Sequence, residues 1–345
     1  MNIHEFDANN ATEEVLLGLN RIVASVEAEA LPDDEPVPFQ YRVARWQAPS
    51  PEHQLSQRFY AEEGGDIVGY LSTLRLPIDD PAMLIASIMV ASEHRGRGIG
   101  RNLLGFMLDW SEPLGIERLT ADVAAGLSSE AVLERLGMRH VMTVRRSRLE
   151  LGSVDWELMD RWIERARDRA TDYELVRFES RVSDEYLERW ARIKNVMNTA
   201  PREDAEWEDF DMTPEKWRAE ENNTDLRGDD YLAIGALHVP SGEFAGLTDV
   251  FLPRLFPSQV WQEDTGVDPA HRNKGLGRWL KAEMLKWIAS SRPEAKRIDT
   301  FNAGSNEPML AINVEMGFEP ILVENVWQAT VEEVRANLSP GSVAV

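Results

Sequence analysis

Two stretches govern the reading of this sequence: MVASEHRGRGIGRNLLGFMLDW at 89–110 and GVDPAHRNKGLGRWLKAEMLKW at 266–287. They align without a gap at a constant offset of 177 residues. Val90 meets Val267, His94 meets His271, Arg95 meets Arg272, Gly98 meets Gly275, Gly100 meets Gly277, Arg101 meets Arg278 and Trp110 meets Trp287. Solenoid repeats recur every 20 to 50 residues or so, whereas an offset of this size is the length of a domain. The chain therefore reads as two tandem copies of one fold, expected over 1–151 and 152–345.

Strand and helix signals around the repeat agree with that division. In the first half RFYAEE, DIVGYLSTLRL and MLIASIMV alternate as strands, the first two joined through Gly64 and Gly65. A helix from about Ile99 to Leu114 follows, then strand ERLTADV, helix SSEAVLERLG and RHVMTVRRSRLEL as a final strand or strand pair. The second half opens with strand YELVRFE and helix SDEYLERWARIKNVM. It then repeats the order with YLAIGALHV, EFAGLTDVFL, SQVWQEDTGV, a helix over 275–290, RIDTF, NEPMLAINVEMG and PILVENVW. The fold class is α/β with α+β character, each copy a mostly antiparallel mixed sheet flanked by helices. Residues 153–171 carry Trp156, Met159, Trp162 and Ile163 on one stripe, which predicts a helix packed between the copies. SPGSVAV at 339–345 reads as a loose tail.

Composition narrows the function. With 60 acidic and 37 basic residues among 345, the net charge is −23, which argues against nucleic acid and anionic membranes as partners. No cysteine is present, so disulfides, thiolate nucleophiles and cysteine zinc sites are excluded. No apolar run reaches a membrane span and no signal peptide is evident, so a cytoplasmic location is expected. The six histidines show no ligand spacing, and no metal is expected.

Within this acidic chain, HRGRGIGR and HRNKGLGR each place three cations between a strand and a helix, with three glycines in the first and two in the second. Glycine lets backbone N–H groups approach a ligand, and the helix start adds partial positive charge, so the turn suits phosphate. The spacing is neither a Walker loop nor the dinucleotide G-x-G-x-x-G.

The turn and its surroundings resemble the GNAT superfamily of N-acetyltransferases, whose signature [RQ]-x-x-G-x-[GA] holds the pyrophosphate of acetyl-CoA. Arg95-Gly98-Gly100 and Arg272-Gly275-Gly277 both fit it. The resemblance implies acetyl-CoA as donor, held in the second half by Thr265, Val267, Arg272, Asn273, Lys274, Gly275, Leu276, Gly277 and Arg278, with Asn302 and Asn306. A possible second CoA site comprises Val90, Arg95, Arg97, Gly98, Gly100 and Arg101. The segment Asn302 to Phe318 is similar to the family ending N-x-x-A-x-x-x-Y-x-x-x-G-F, but Met309 replaces a small residue and Asn313 the tyrosine thought to protonate the leaving thiolate. No general acid is assigned.

An amine acceptor must lose a proton before attack, so a base should face the acetyl group. Counting back from Val267 in a regular strand, Thr265, Glu263 and Trp261 share its face, which nominates Glu263; a bulge would give the role to Asp264. In the first half Ile88, Ala86 and Leu84 take these places and offer no base. That half is expected to be degenerate, binding CoA weakly or not at all, and the second half to be catalytic. By resemblance, the segment holding Glu203, Asp204, Glu206, Glu208, Asp209 and Asp211 borders the acceptor. Trp207, Asp209 and Trp261 are therefore the candidate substrate contacts, and a cationic small-molecule amine is the expected substrate. The expected reaction is direct attack in a ternary complex. Transfer of another acyl group and a non-catalytic CoA sensor or scaffold are the alternatives, and the protein is expected as a monomer or homodimer.

Overall fold

The computed structural model describes residues 1–338, so the tail expected at 339–345 lies outside the described residues. Its strands are β1 (Asn2–Glu5), β2 (Leu55–Glu63), β3 (Asp66–Leu76), β4 (Asp80–Val90), β5 (Arg118–Ala124), β6 (Arg139–Glu150), β7 (Tyr173–Glu179), β8 (Asp229–His238), β9 (Glu243–Pro253), β10 (Gln259–Val267), β11 (Arg297–Ala303) and β12 (Glu319–Thr330). The helices are α1 (Glu13–Ala30), α2 (Phe39–Gln47), α3 (Ile99–Ser111), α4 (Ser129–Arg135), α5 (Trp156–Arg169), α6 (Asp184–Lys194), α7 (Pro214–Leu226), α8 (Leu276–Ser291), α9 (Glu307–Met316) and α10 (Val331–Leu338).

Two compact units form, but not by a single cut at 151/152. Unit 1 comprises residues 1–144, 202–209 and the chain from Leu322 onward; unit 2 comprises 145–201 and 210–321. The boundary runs through the last strand of each half: β12 lies in unit 1 from Leu322, and β6 lies in unit 2 from Arg145. Unit 1 has the strand order β1-β2-β3-β4-β5-β12, with β12 antiparallel to β5 from Glu324↔Ala124 to Thr330↔Arg118. Unit 2 has the order β6-β11-β10-β9-β8-β7. Strand β5 and strand β11 each need a neighbour, and alternation specifies a strand without naming its partner.

The cores follow these pairings. In unit 1, Leu71, Leu84, Leu103 and Met107 pack with Trp327 and Ala329 of β12 and Val334 of α10. In unit 2, Leu149 of β6 is fully buried beside Leu232, Val260, Leu280 and Met284. Asp299 of β11, also fully buried, accepts from Arg146 and Arg148 of β6 at 2.6–2.9 Å. The stripe of α5 lies in this same core through Met159, Trp162, Ile163 and Ala166, so the helix expected between the copies belongs to unit 2.

Local signals explain the helix starts. Thr12, Asp155 and Thr213 accept backbone N–H groups at the beginnings of α1, α5 and α7, and Pro214 occupies the first position of α7. Gly317, with φ of 98°, ends α9 in the left-handed region.

Candidate active site

In unit 2 the parallel pairing of β10 with β11 covers only Gln259↔Arg297 to Gln262↔Thr300. Beyond Gln262 the strands part. At that point the pairing with β9 also slips: Gln262 faces Val250 and Thr265 faces Thr248, leaving Glu263 and Asp264 together opposite Asp249. This is a bulge, and it ends the period-two alternation. Gln262 Nε2 and Thr265 Oγ1, three residues apart, both meet Thr248 Oγ1, at 3.2 and 2.8 Å.

A buried ionic cluster holds the bulge. Asp249 Oδ1 accepts the Asp264 N–H at 2.8 Å, while its Oδ2 accepts Lys194 Nζ at 2.9 Å and the Tyr231 hydroxyl at 2.8 Å. Lys194 also pairs with the Asp264 carboxylate and lies 4.9 Å from the Trp217 ring centre. Burial opposes its charge, yet Asp249 and Asp264 hold its pKa above the ordinary lysine value. Burial also raises Asp249, although Lys194 counters it, and burial with the Asp249 charge raises Tyr231 well above the usual phenol.

The bulge thus separates the two candidate bases by environment. Asp264 is tied to Lys194. Glu263 makes no hydrogen bond or ion pair among the described residues and lines a pocket of about 140 Å³. The residue keeps exposed surface, but protein crowds its carboxyl; that burial, reinforced by Asp264 and Asp249, pushes it up to about 7.

The pocket is walled by Gln262 to Thr265 of β10, Thr300 to Asn302 of β11, Asn306 and Met309 at α9, and Met197 and Lys281. Both predicted asparagines are therefore present. Asn306 caps α9 by accepting the Met309 N–H, and Asn302 Oδ1 accepts from Asn313 Nδ2 at 2.7 Å. Asn313 is buried and its Oδ1 has no hydrogen-bond partner.

Lys281 went unnoticed in the sequence. It lies on α8, 2 % exposed, with no hydrogen bond or ion pair among the described residues, its ammonium 5.2 Å from the Phe318 ring centre. Burial alone lowers it to about 7. The signal lay in the repeat, because the first copy has Leu104 at this position.

Beyond β10 comes the predicted phosphate turn. Arg272 Nε donates to the Val267 carbonyl at 3.0 Å and Nη2 to Thr199 Oγ1 at 2.7 Å. Lys274 donates to the Tyr173 hydroxyl at 2.8 Å, which also meets His271 Nδ1 at 2.7 Å, and Arg278 pairs with Glu315. Burial, His238 and Lys274 together lower the His271 pKa. Asn273 and Gly275 have φ of 64° and 86°, and α8 starts directly afterward with first-turn N–H groups that lack intrahelical partners. Leu276 is buried core, Val267 packs against that core, and a Cβ on Gly277 would sit 3.4 Å from Ile312.

Unit 1 reproduces the turn with a different balance of charge. Arg95 Nε donates to the Val90 carbonyl at 3.1 Å, and Gly98 (φ 80°) precedes α3. Arg95 pairs with Glu29, Arg97 with Glu63 and His94, and Arg101 donates to the Leu338 carbonyl. Gly100 lies close to Val90. The first cations of this turn are thus met by carboxylates, where those of unit 2 meet hydroxyls. Strand β4 parts from β5 after Ile85↔Thr120, but its pairing with β3 runs unbroken from Gly69↔Val90 to Arg75↔Leu84. No bulge interrupts it there, and Leu84, Ala86 and Ile88 go to the core.

The acidic segment does not join the unit 2 pocket. Residues 202–209 belong to unit 1, where Asp204 N–H donates to the Val141 carbonyl and Glu206 exchanges hydrogen bonds with Gln328. Trp207 and Asp209 lie in this stretch, Asp209 paired with Arg202. Trp261 stacks on Phe301 with centres 6.3 Å apart under the Arg146 guanidinium, and only Phe301 of that group lines the pocket. The described residues contain no cluster of three or more metal-ligating side chains and no helix long and apolar enough to cross a membrane.

A parted pair of parallel strands running into a basic, glycine-bearing turn is built twice in this chain, and its fold is that of tandem GNAT proteins. Residues 21–138 match the acetyltransferase (GNAT) family model, a family that takes the acyl group from CoA. The structure resembles a tandem GNAT protein from the clavulanic acid biosynthesis pathway, with 24 % identity, TM-score 0.77 and coverage of 96 % of this chain and 98 % of that one. It also resembles a GCN5-related N-acetyltransferase from Sphaerobacter thermophilus, with 15 % identity, TM-score 0.65 and coverage of 96 % and 95 %. A third similar structure is the GCN5-related glucosamine N-acetyltransferase region of a fungal multi-domain GH3 β-N-acetylglucosaminidase, at 13 % identity, TM-score 0.68 and coverage of 95 % and 38 %. Curated protein sequences give no match.

Proposed function

We propose that unit 2 transfers an acetyl group from acetyl-CoA to a primary amine by direct attack, with Glu263 as general base. The supporting observation is the unpaired Glu263 carboxyl beside a pocket between parted strands, one strand-length from the Arg272 to Arg278 turn. A free amine with a pKa of about 10 is mostly ammonium at neutral pH. Glu263, at about 7, is placed to accept its proton directly or through water. The amine nitrogen then bonds to the thioester carbonyl carbon, the developing oxyanion receives a backbone N–H from the parted stretch of β10, and the C–S bond breaks. A thiol of pKa about 8.5 departs as thiolate near neutrality without an acid, which accommodates Asn313 where a tyrosine is usual. As the amide forms, the nitrogen sheds its second proton to solvent, the thiolate takes one up from solvent, and Glu263 returns its own to solvent.

Unit 1 serves as the structural copy in this reading. Its turn cations are met by Glu29 and Glu63, and its β4 pairs with β3 without a bulge from Leu84 to Val90, a stretch that holds no carboxylate. The acceptor is a cationic small molecule drawn to the Glu263 carboxylate, and the lack of cysteine suits work in the cytoplasm.

A second reading, a CoA-binding sensor without turnover, draws on Asn313 at the general-acid position. Glu263→Gln separates the two. Thiol release from acetyl-CoA is measured with a polyamine, an amino sugar, an aminoglycoside and a dipeptide. Transfer predicts a loss of roughly 10²- to 10⁴-fold in turnover with acetyl-CoA affinity retained. A sensor shows no amine-dependent release in either protein.

A further inference from the structure

Lys281 is not accounted for by acetyl transfer. It occupies the sheet-facing stripe of α8 beside Leu280, Met284, Leu285 and Ile288, where a lysine is out of place. An isolated buried ammonium is strongly disfavoured unless something pairs with it. Among the described residues no carboxylate or hydrogen-bond acceptor pairs with it and only the Phe318 ring faces it, 5.2 Å away, while the side chain opens on the pocket. The other copy has buried Leu104 at the same helix position, so the fold accepts a plain alkyl group there. Lys194, which pairs with the lining residue Asp264, is already committed to it and to Asp249. Gln262, Thr300 and Asn302 supply further polar groups on the same walls. A cavity of about 150 Å³ accommodates a benzene ring. At about 140 Å³ this pocket has room for an acyl chain longer than acetyl.

We propose that unit 2 favours an acyl donor whose chain ends in a carboxylate, a short dicarboxylic acid joined to CoA through one thioester, with Lys281 pairing the free carboxylate on the pocket wall. This rests on the reading of unit 2 as the CoA site and sharpens the donor. The transfer is unchanged: amine nitrogen to thioester carbon, thiolate leaving, with Lys281 ionic throughout and forming no covalent bond. Lys194 offsets one of the two carboxylates it pairs with, Asp249 and Asp264, and Lys281 supplies the positive charge on the pocket wall.

The test is calorimetric titration of CoA, acetyl-CoA, butyryl-CoA and succinyl-CoA into the full chain at pH 7, for wild type and Lys281→Met. Succinyl and butyryl have the same number of carbons and differ in the terminal carboxylate. Wild type should bind succinyl-CoA roughly 10- to 100-fold tighter than butyryl-CoA, the range a hydrogen bond between charged groups gives. Lys281→Met should bring the two to one affinity. Equal affinities in wild type, or a preference that survives the substitution, overturn the donor assignment while acetyl-CoA binding stands. Failure of every CoA species to bind overturns the CoA site and the donor assignment together. Should Lys281→Met not fold, the wild-type comparison of succinyl-CoA with butyryl-CoA decides alone.

Discussion

At the scale of single residues, Glu263 and Lys281 share one pocket and show opposite responses to burial. Burial raises a carboxyl and lowers an ammonium, and here both arrive at about 7. For Glu263 the folded value lies above the unfolded one. Its contribution to stability is therefore fully present below about pH 4.5 and is lost as pH rises through about 7. Glu263→Gln should accordingly raise the melting temperature relative to wild type at pH 8 and lose that advantage at pH 4.5. The same titration governs the rate. With Glu263 as base, kcat/KM should rise with pH to a plateau above about 7, and the residual activity of Glu263→Gln should lack that limb. Sequence reading nominated Glu263 by counting along a regular strand and Asp264 if a bulge intervened; the bulge is present, and it ties Asp264 to Lys194 while Glu263 lines the pocket. The same reading passed over Lys281, because a lysine within a helical pattern is taken to face water until the fold shows otherwise.

At the scale of elements, the bulge in β10 distinguishes the two copies. The basic, glycine-bearing turns were legible in both halves because their signals are local: glycines, cations, and a strand running into a helix. The bulge was legible only as an alternative, since its cause is distant. Asp249 on β9 and Lys194 on α6 reach the Asp264 backbone and carboxylate from elements that no local pattern links. Lys194→Met should leave Asp249 and Asp264 without their countercharge. The expected loss in urea unfolding is about 3–5 kcal/mol, as for other broken buried pairs. A loss below about 1 kcal/mol would show that the cluster does not hold the bulge.

At the scale of the whole molecule, the repeat predicted two copies but not the exchange of their last strands. RHVMTVRRSRLEL and PILVENVW read correctly as strands, while the choice of neighbour depends on which sheet edge lies open. The exchange has a consequence for folding. Residues 1–151 alone lack Trp327, Ala329 and Val334 of the unit 1 core and the partner of β5. That fragment should aggregate, and appending residues 318–338 through a flexible linker should restore a cooperative thermal transition. A soluble fragment 1–151 that melts cooperatively would contradict the pairing.

The family model matches residues 21–138, within the half whose turn is neutralised, whereas the bulge, the free carboxyl and the buried lysine lie in the other half. The central claim is that unit 2 carries the working CoA site, and titration of acetyl-CoA into wild type, Gly275→Asp and Gly98→Asp tests it most directly. The two glycines have φ of 86° and 80° and open space where a Cβ would be, so each substitution brings a similar backbone strain and a new negative charge into its turn. One site in wild type, retained in Gly98→Asp and lost in Gly275→Asp, is the predicted result. Two equivalent sites, or a single site lost only with Gly98→Asp, would contradict it.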